Sequence, residues 1–333
     1  MQENEIRFIF EKISTLRVGI IGDFAVDFYY DLQRKTEEIS LETRQEVWWG
    51  SQSRTSLGAA GNVVQNLAAL GVGTLKVFGA VGHDIYGREM LHLMQKLGVD
   101  TVGIRIQEEG WETCAYTKPL DQGTELNRVD FGTHNQLSDE GFEEILKSLK
   151  TQMAHLDVLI INQQFASPLI TRKRVDLLNA MATVYPQVYI LADMRTYGLA
   201  LRGMTLKVNT EEMARLLEVA GYESWTTDEC TFYGHQLSDQ VQGPVLITRG
   251  EQGMQYVHQE SVHQSTALDL AGALDTVGAG DTAVATYAAC AGAQVPILEA
   301  LALANLASAI TVQKISQTGT ASQEEILELN KTI

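Results

Sequence analysis

Cysteine is scarce in this chain. Its 333 residues include three, Cys114, Cys230 and Cys290. An odd and widely spaced set supplies neither a disulfide framework nor the paired spacing of a zinc or iron–sulfur site. Proline is rare as well, at five residues, and no low-complexity tract occurs, which argues against a disordered linker. Positive charge is short: 25 Lys and Arg against 42 Asp and Glu leave a net charge of −17. So acidic a chain argues against nucleic acid or an anionic membrane as the main partner. A nucleotide stays open, because backbone donors and a few cations bind phosphate locally. No run of about 18 apolar residues marks a membrane span. The opening Met1-Gln2-Glu3-Asn4-Glu5 is acidic and polar, unlike a secretion signal. A soluble cytoplasmic protein is expected.

Signatures are missing too. There is no G-x-x-x-x-G-K-[S/T] and no strand followed by G-x-G-x-x-G, so neither a P-loop nor a dinucleotide site is expected. No internal repeat is evident.

What is present is a strand–helix rhythm. Val18-Gly19-Ile20-Ile21 reads as a buried parallel strand ending in Gly22-Asp23. Residues 75–81, 158–161, 188–192, 206–208 and 245–248 read as further strands. Residues 63–70, 86–97, 170–181 and 211–219 read as helices, and two more start at Asp281 and Pro296. Alternation of this kind predicts a parallel sheet with helices on both faces. Two segments break it. Phe28–Ser56 is polar and aromatic, and Thr113–Phe131 alternates like paired strands around Asp121-Gln122-Gly123. Hydrophobic residues make up 45% of the chain, enough for a substantial core.

The most informative stretch is Asp275-Thr276-Val277-Gly278-Ala279-Gly280-Asp281. Glycines let backbone N–H groups converge without Cβ hindrance. At a helix start those groups favour an anion. An acid at the end of such a cradle makes sense as a general base beside a phosphoryl group in transfer. The plainer reading is a glycine turn with an Asp helix cap. It would lead for a lone G-x-G-D, but not for the full seven-residue pattern.

That pattern, D-T-x-G-A-G-D, resembles the signature of the ribokinase-like (PfkB) sugar kinases. The resemblance runs from Gly22-Asp23 to Lys314 and Gly319-Thr320. Within the family the chain is most similar to the kinase domain of heptose-phosphate kinases. That likeness rests on Gly22–Tyr29, Leu126–Phe131 and Val245–Met254. It implies one ribokinase-like domain over residues 1–333: a three-layer α/β/α fold with a mostly parallel sheet and a small β-sheet lid from about 28–56 and 113–131. It also implies an ATP- and magnesium-dependent carbohydrate kinase, with a monovalent cation often bordering the Asp275-Thr276 region. The nucleotidyltransferase signature H-x-G-H, often fused to the heptose enzyme, is absent.

Carried over residue by residue, the resemblance makes Asp281 the catalytic base and Gly278, Ala279 and Gly280 the donors to the transferred phosphoryl. Asn209 and Glu212 match N-x-x-E, which organises magnesium largely through water; the same spacing is also a helix-capping pattern. Thr248, Arg249, Gly250 and Gly253 match the nucleotide loop, with Arg249 able to pair with phosphate; alone, the stretch would read as a β-turn. Asn305 and Lys314 lie where relatives line the adenine, although Asn305 reads equally as a polar contact between helices.

On the sugar side, Asp27 matches the acid that holds hydroxyls. Gly58 and Asn62 match G-G-x-x-N, with Ala59 for the second glycine and a helix cap as the plain alternative for Asn62. Asp23 reads as shaping a strand end, and Gly82–Gly87 as a structural turn. Trp48 and Trp49 fit core, sugar platform or subunit contact; a homodimer through the lid comes first.

Two departures touch the substrate. Heptose-phosphate kinases usually carry a tyrosine and a lysine where this chain has Asn162-Gln163-Gln164-Phe165. They carry D-P-K where it has Asp193-Met194-Arg195, so Arg195 keeps the charge. A kinase of a sugar or sugar phosphate is expected. The alternatives are another polyol or nucleoside as acceptor, or a non-catalytic sensing relative.

Overall fold

The computed structural model describes residues 1–332. Helix α1 (Glu3–Ile13) leads into β1 (Arg17–Gly22), β2 (Phe24–Gln33), β3 (Trp49–Ala59) and α2 (Ala60–Ala69). There follow β4 (Thr74–Gly82), α3 (Ile85–Lys96), β5 (Asp100–Gln107), β6 (Cys114–Asp121), β7 (Thr124–Glu125) and β8 (Val129–Phe131). The middle of the chain is α4 (Asp139–Met153), β9 (Val158–Gln163), α5 (Arg172–Val184), β10 (Tyr189–Met194), β11 (Thr205–Asn209), α6 (Thr210–Leu217) and α7 (Thr227–Val241). It closes with β12 (Val245–Thr248), β13 (Met254–His258), β14 (Ser261–Ser265), α8 (Ala279–Gly292), α9 (Ile297–Thr311) and α10 (Gln323–Asn330).

The large sheet runs β14-β13-β12-β11-β10-β9-β1-β4-β5. It is parallel except for the β12/β13 and β13/β14 hairpins at one edge. Side chains alternate across a strand, and the two faces feed separate cores. Ile20 and Ile160 point into one core with α2, α8 and α9. Ile21 and Ile161 point into the other with α4, α5 and α7. Burying each such side chain contributes roughly 1.5–3 kcal/mol, so one strand ties both helical layers. The result is the three-layer α/β/α fold that the alternation predicts.

The second sheet is small, in the order β3-β2-β6-β7 with β8 against β6. Segments 28–56 and 113–131 therefore share one sheet, which begins earlier than expected, at Phe24. Gln122 and Gly123 both take positive φ, 51° and 82°, in the two-residue turn between β6 and β7, as a tight hairpin needs.

Several elements were not legible in the sequence. They include α1, α4, α7, α10, β5 and the β13/β14 hairpin. α4 has a clear physical basis: Ser138 caps it, Asp139 and Glu140 sit in its first turn, and Phe142, Ile145, Leu146, Leu149 and Met153 form its buried stripe. The helix expected over 63–70 starts at Ala60, with Ala59 rather than Asn62 in the cap position. The capping alternative for Asn62 is thereby corrected.

Candidate active site

Parallel strands bring their C-terminal ends to one edge of the sheet. Asp23 follows β1, Gln164 follows β9, Arg195 follows β10 and Asn209 ends β11. Gly22 permits this convergence: a Cβ there would lie 1.9 Å from the Asn162 carbonyl oxygen. The opening turn of α8 meets the same edge, through the side chains below.

Gly278 takes the cap position of α8 with φ 81°, a left-handed conformation suited to glycine. The N–H groups of Gly278, Gly280 and Asp281 have no partner among the described residues. Ala279 differs from expectation, because its N–H already donates to the Thr276 carbonyl at 3.2 Å. Asp275 braces the turn, its carboxylate accepting from the Val277 N–H at 3.0 Å and the Ser316 N–H at 3.0 Å.

Asp281 is the third residue of α8, so it does not cap the helix. Its Oδ2 accepts from Asn62 Nδ2 at 2.7 Å and its Oδ1 from Gln164 Nε2 at 3.1 Å. Burial, and then the Asp193 carboxylate, push its pKa up to about 6, against the pull of Asn62, Lys207 and Gln164. The group therefore sits near the point where it can take or release a proton at physiological pH.

Lys207 is the main residue that sequence reasoning missed. It lies on β11, is buried, and donates to Asp193 Oδ1 at 3.3 Å. Its ammonium is 3.3 Å from where a Cβ on Gly280 would sit. Burial opposes its charge, but Asp193, Glu212 and Asp281 outweigh that and hold its pKa above the ordinary lysine value. The signal was a lysine inside the apolar strand Leu206-Lys207-Val208.

Asn209 and Glu212 form a reciprocal cap on α6: Glu212 N donates to Asn209 Oδ1 at 2.7 Å and Asn209 N to Glu212 Oε2 at 2.8 Å. The capping reading holds. The other carboxylate oxygen of Glu212 has no partner among the described residues. No group of three or more His, Cys, Asp or Glu that could cage a metal occurs among the described residues. This donor set fits a hydrated magnesium carried by nucleotide phosphates, not a protein-caged ion.

The small sheet supplies another buried cluster. Asp27 is paired with Lys118 at 3.1 Å and accepts from Thr318 Oγ1 at 2.6 Å. Lys118 also donates to the Tyr29 hydroxyl at 2.9 Å. Gly58 clears room for this acid, since a Cβ there would come within 2.9 Å of Asp27 Oδ1. Arg54 reaches the Ser316 carbonyl at 2.9 Å. The small sheet is thus hydrogen-bonded to the loop after α9. Arg195 is exposed and makes no ion pair among the described residues.

The expected nucleotide residues divide. Gly250 is open, with φ 55° and nothing near its Cβ position. Gly253 is enclosed, its Cβ position 2.1 Å from the Ser265 carbonyl oxygen. Thr248 keeps its hydroxyl near the Val208 carbonyl at 3.5 Å. Arg249 does not fit the phosphate-pairing expectation. Its guanidinium is buried and donates to Thr227, Trp225 and Gln252, so its charge braces the loop. Asn305 donates to Ser265 and Thr266, and Lys314 to the Thr320 carbonyl at 2.6 Å and to Glu325. Both hold loops beside α9.

A family model described as pfkB family carbohydrate kinase matches residues 19–324. The chain belongs to the pfkB family of carbohydrate kinases. Membership makes it a phosphotransferase that acts on sugars. This pfkB kinase is similar to the bifunctional protein HldE of Trichlorobacter lovleyi, at 27% identity over 335 residues, and to that of Geotalea uraniireducens, at 28% over 331. In both cases 98% of this chain is covered, and it spans 65% of the relative's length. Among solved structures, phosphofructokinase-2 from Escherichia coli in complex with potassium superposes with a TM-score of 0.75 at 15% identity, covering 96% of this chain and 99% of that one. Arabidopsis thaliana ribokinase complexed with ribose and ATP gives 0.70 at 19%, covering 95% and 99%. These two likenesses establish the fold.

Proposed function

We propose that this pfkB kinase transfers the γ-phosphoryl group of ATP to a hydroxyl of a sugar or sugar phosphate, with a heptose 7-phosphate-like acceptor most similar to its motifs. One observation carries the proposal: the Asp281 carboxylate stands at the opening turn of α8, beside unpartnered N–H groups, and the Lys207 ammonium meets the same turn at Gly280.

Asp281 accepts the hydroxyl proton as the bond to phosphorus forms. Gly278 and Gly280 present N–H groups to the transferred phosphoryl oxygens, and Ala279 fixes the turn. Lys207 adds a positive charge in a site where burial strengthens it. Asn209 and Glu212 would hold a hydrated magnesium bound with the nucleotide, whose charge would offset that of the phosphates. Thr248, Gly250 and Gly253 shape the nucleotide loop. Asn305 and Lys314 border the adenine through the loops they brace. Asp27, Gly58, Asn62 and Arg195 face the acceptor, whose hydroxyls exchange with Thr318 on Asp27. The small sheet acts as a lid that excludes water. Trp48 and Trp49, 53% and 50% exposed, suit a homodimer contact through it. Asp275 borders a monovalent cation, and the enzyme works in the cytoplasm.

A second reading, another polyol or nucleoside as acceptor, is favoured by Gln164 and Met194 standing where heptose-phosphate kinases carry other residues. An ADP-release screen over heptose 7-phosphate, fructose 6-phosphate, ribose and adenosine tests both. Turnover with a phosphorylated sugar is expected. ATP binding without phosphorylation of any acceptor would favour a sensing relative.

A further inference from the structure

We propose that Gln164 is a positioning residue for Asp281, and that Asp23 is the anchor from which both amides around that carboxylate are held. The inference rests on the reading of Asp281 as proton acceptor. The two carboxylate oxygens of Asp281 receive one amide each, Asn62 on Oδ2 and Gln164 on Oδ1. Two donors on separate oxygens fix the plane of the carboxylate. Each oxygen retains a lone pair for an incoming hydroxyl, because an ionised carboxylate has about four acceptor positions.

Gln164 leaves the end of β9 in an irregular loop, and a free glutamine there would lose much rotamer entropy on docking. Asp23 lowers the cost of ordering by fixing the backbone from which that side chain projects. Its buried carboxylate accepts from the N–H groups of Gln164 at 2.8 Å, Phe165 at 3.0 Å and Leu169 at 2.7 Å. Gln163 clamps the same loop, donating to the Ile170 carbonyl at 2.9 Å and accepting from the Thr196 N–H at 3.0 Å. Asp23 also reaches the other amide, because its carbonyl accepts from the Ala60 N–H at 2.9 Å where α2 begins. Asn62 lies two residues on, in the first turn of that helix. One residue after β1 thus ties down both elements that hold the base.

The groups that act on Asp281 come from four elements: Asn62 on α2, Gln164 after β9, Asp193 on β10 and Lys207 on β11. Asp193 disfavours the ionised form; the other three favour it. Loss of the Gln164 donor therefore has a defined sign.

The test is carboxyl ¹³C NMR of protein labelled at aspartate, with Asp281 assigned by Asp281→Asn. Gln164→Met keeps the length of the side chain and removes the donor. The Asp281 midpoint should rise by about one pH unit, the scale of one hydrogen bond to a charged group. The acid limb of kcat should move with it, while ATP affinity stays unchanged. An Asp281 midpoint unmoved in Gln164→Met overturns the positioning role. Undiminished turnover in Asp281→Asn would instead overturn the reading of Asp281 as the base, whatever the midpoint does.

Discussion

The Lys207 ammonium and the Asp193 carboxylate form a buried pair at 3.3 Å on neighbouring parallel strands, directly beside the glycine turn that opens α8. Removing one member of such a pair typically costs about 3–5 kcal/mol, because the other is left uncompensated. Lys207→Met should lose stability on that scale in urea melts, and turnover with it. The Lys207→Met/Asp193→Asn double variant should recover most of the stability and none of the turnover. Recovery of both would make Lys207 a structural cation only.

The inner strands of the large sheet were legible because they are short apolar runs, and Val18–Ile21 is buried as such a run predicts, whereas β5 and the β13/β14 hairpin at its edges are mixed polar and apolar and gave no such signal. The glycine turn was legible because its residue types are tied to a backbone shape. Lys207 was not, because its meaning depends on its ammonium reaching Gly280 in the first turn of α8, a contact between residues far apart in the chain. Arg249 misled for the opposite reason. A cation beside a glycine loop reads as a phosphate partner, whereas the fold turns it inward to Trp225 and Thr227. Gln164 registered in the sequence only as a departure from the family pattern, and its bond to Asp281 required the third dimension.

The raised pKa of Asp281 fixes the pH dependence of its contribution to stability. The folded carboxyl titrates at about 6, above its ordinary 3.8, because burial and Asp193 disfavour the charge. The folded state then holds the proton more tightly than the unfolded chain through the window from about 4 to 6. Stability from this group falls as pH rises through that window, and the full cost stands above it. Asp281→Asn cannot ionise. Its melting temperature relative to wild type should be higher by a few degrees at pH 7.5 than at pH 4.5. An offset equal at both pH values would contradict the shift.

Glu212 separates capping from magnesium. Glu212→Gln keeps an acceptor for the Asn209 N–H and so keeps the capping box, but carries no charge toward hydrated magnesium. The variant should melt within about 1 kcal/mol of wild type, while the magnesium concentration for half-maximal rate rises severalfold. Unchanged magnesium dependence at full activity would leave Glu212 with the cap alone.

Phosphoryl transfer by Asp281→Asn, followed by ³¹P NMR beside wild type on the best acceptor, tests the central claim most directly. The amide keeps the shape of the carboxylate and cannot accept the hydroxyl proton, and general-base catalysis is worth about 10²–10⁴-fold. Wild type should build up a new phosphate ester at the expense of ATP. The variant should bind ATP with wild-type affinity and form the ester slower by that factor. Ester formation at the wild-type rate in Asp281→Asn would contradict the account and move the base to another residue.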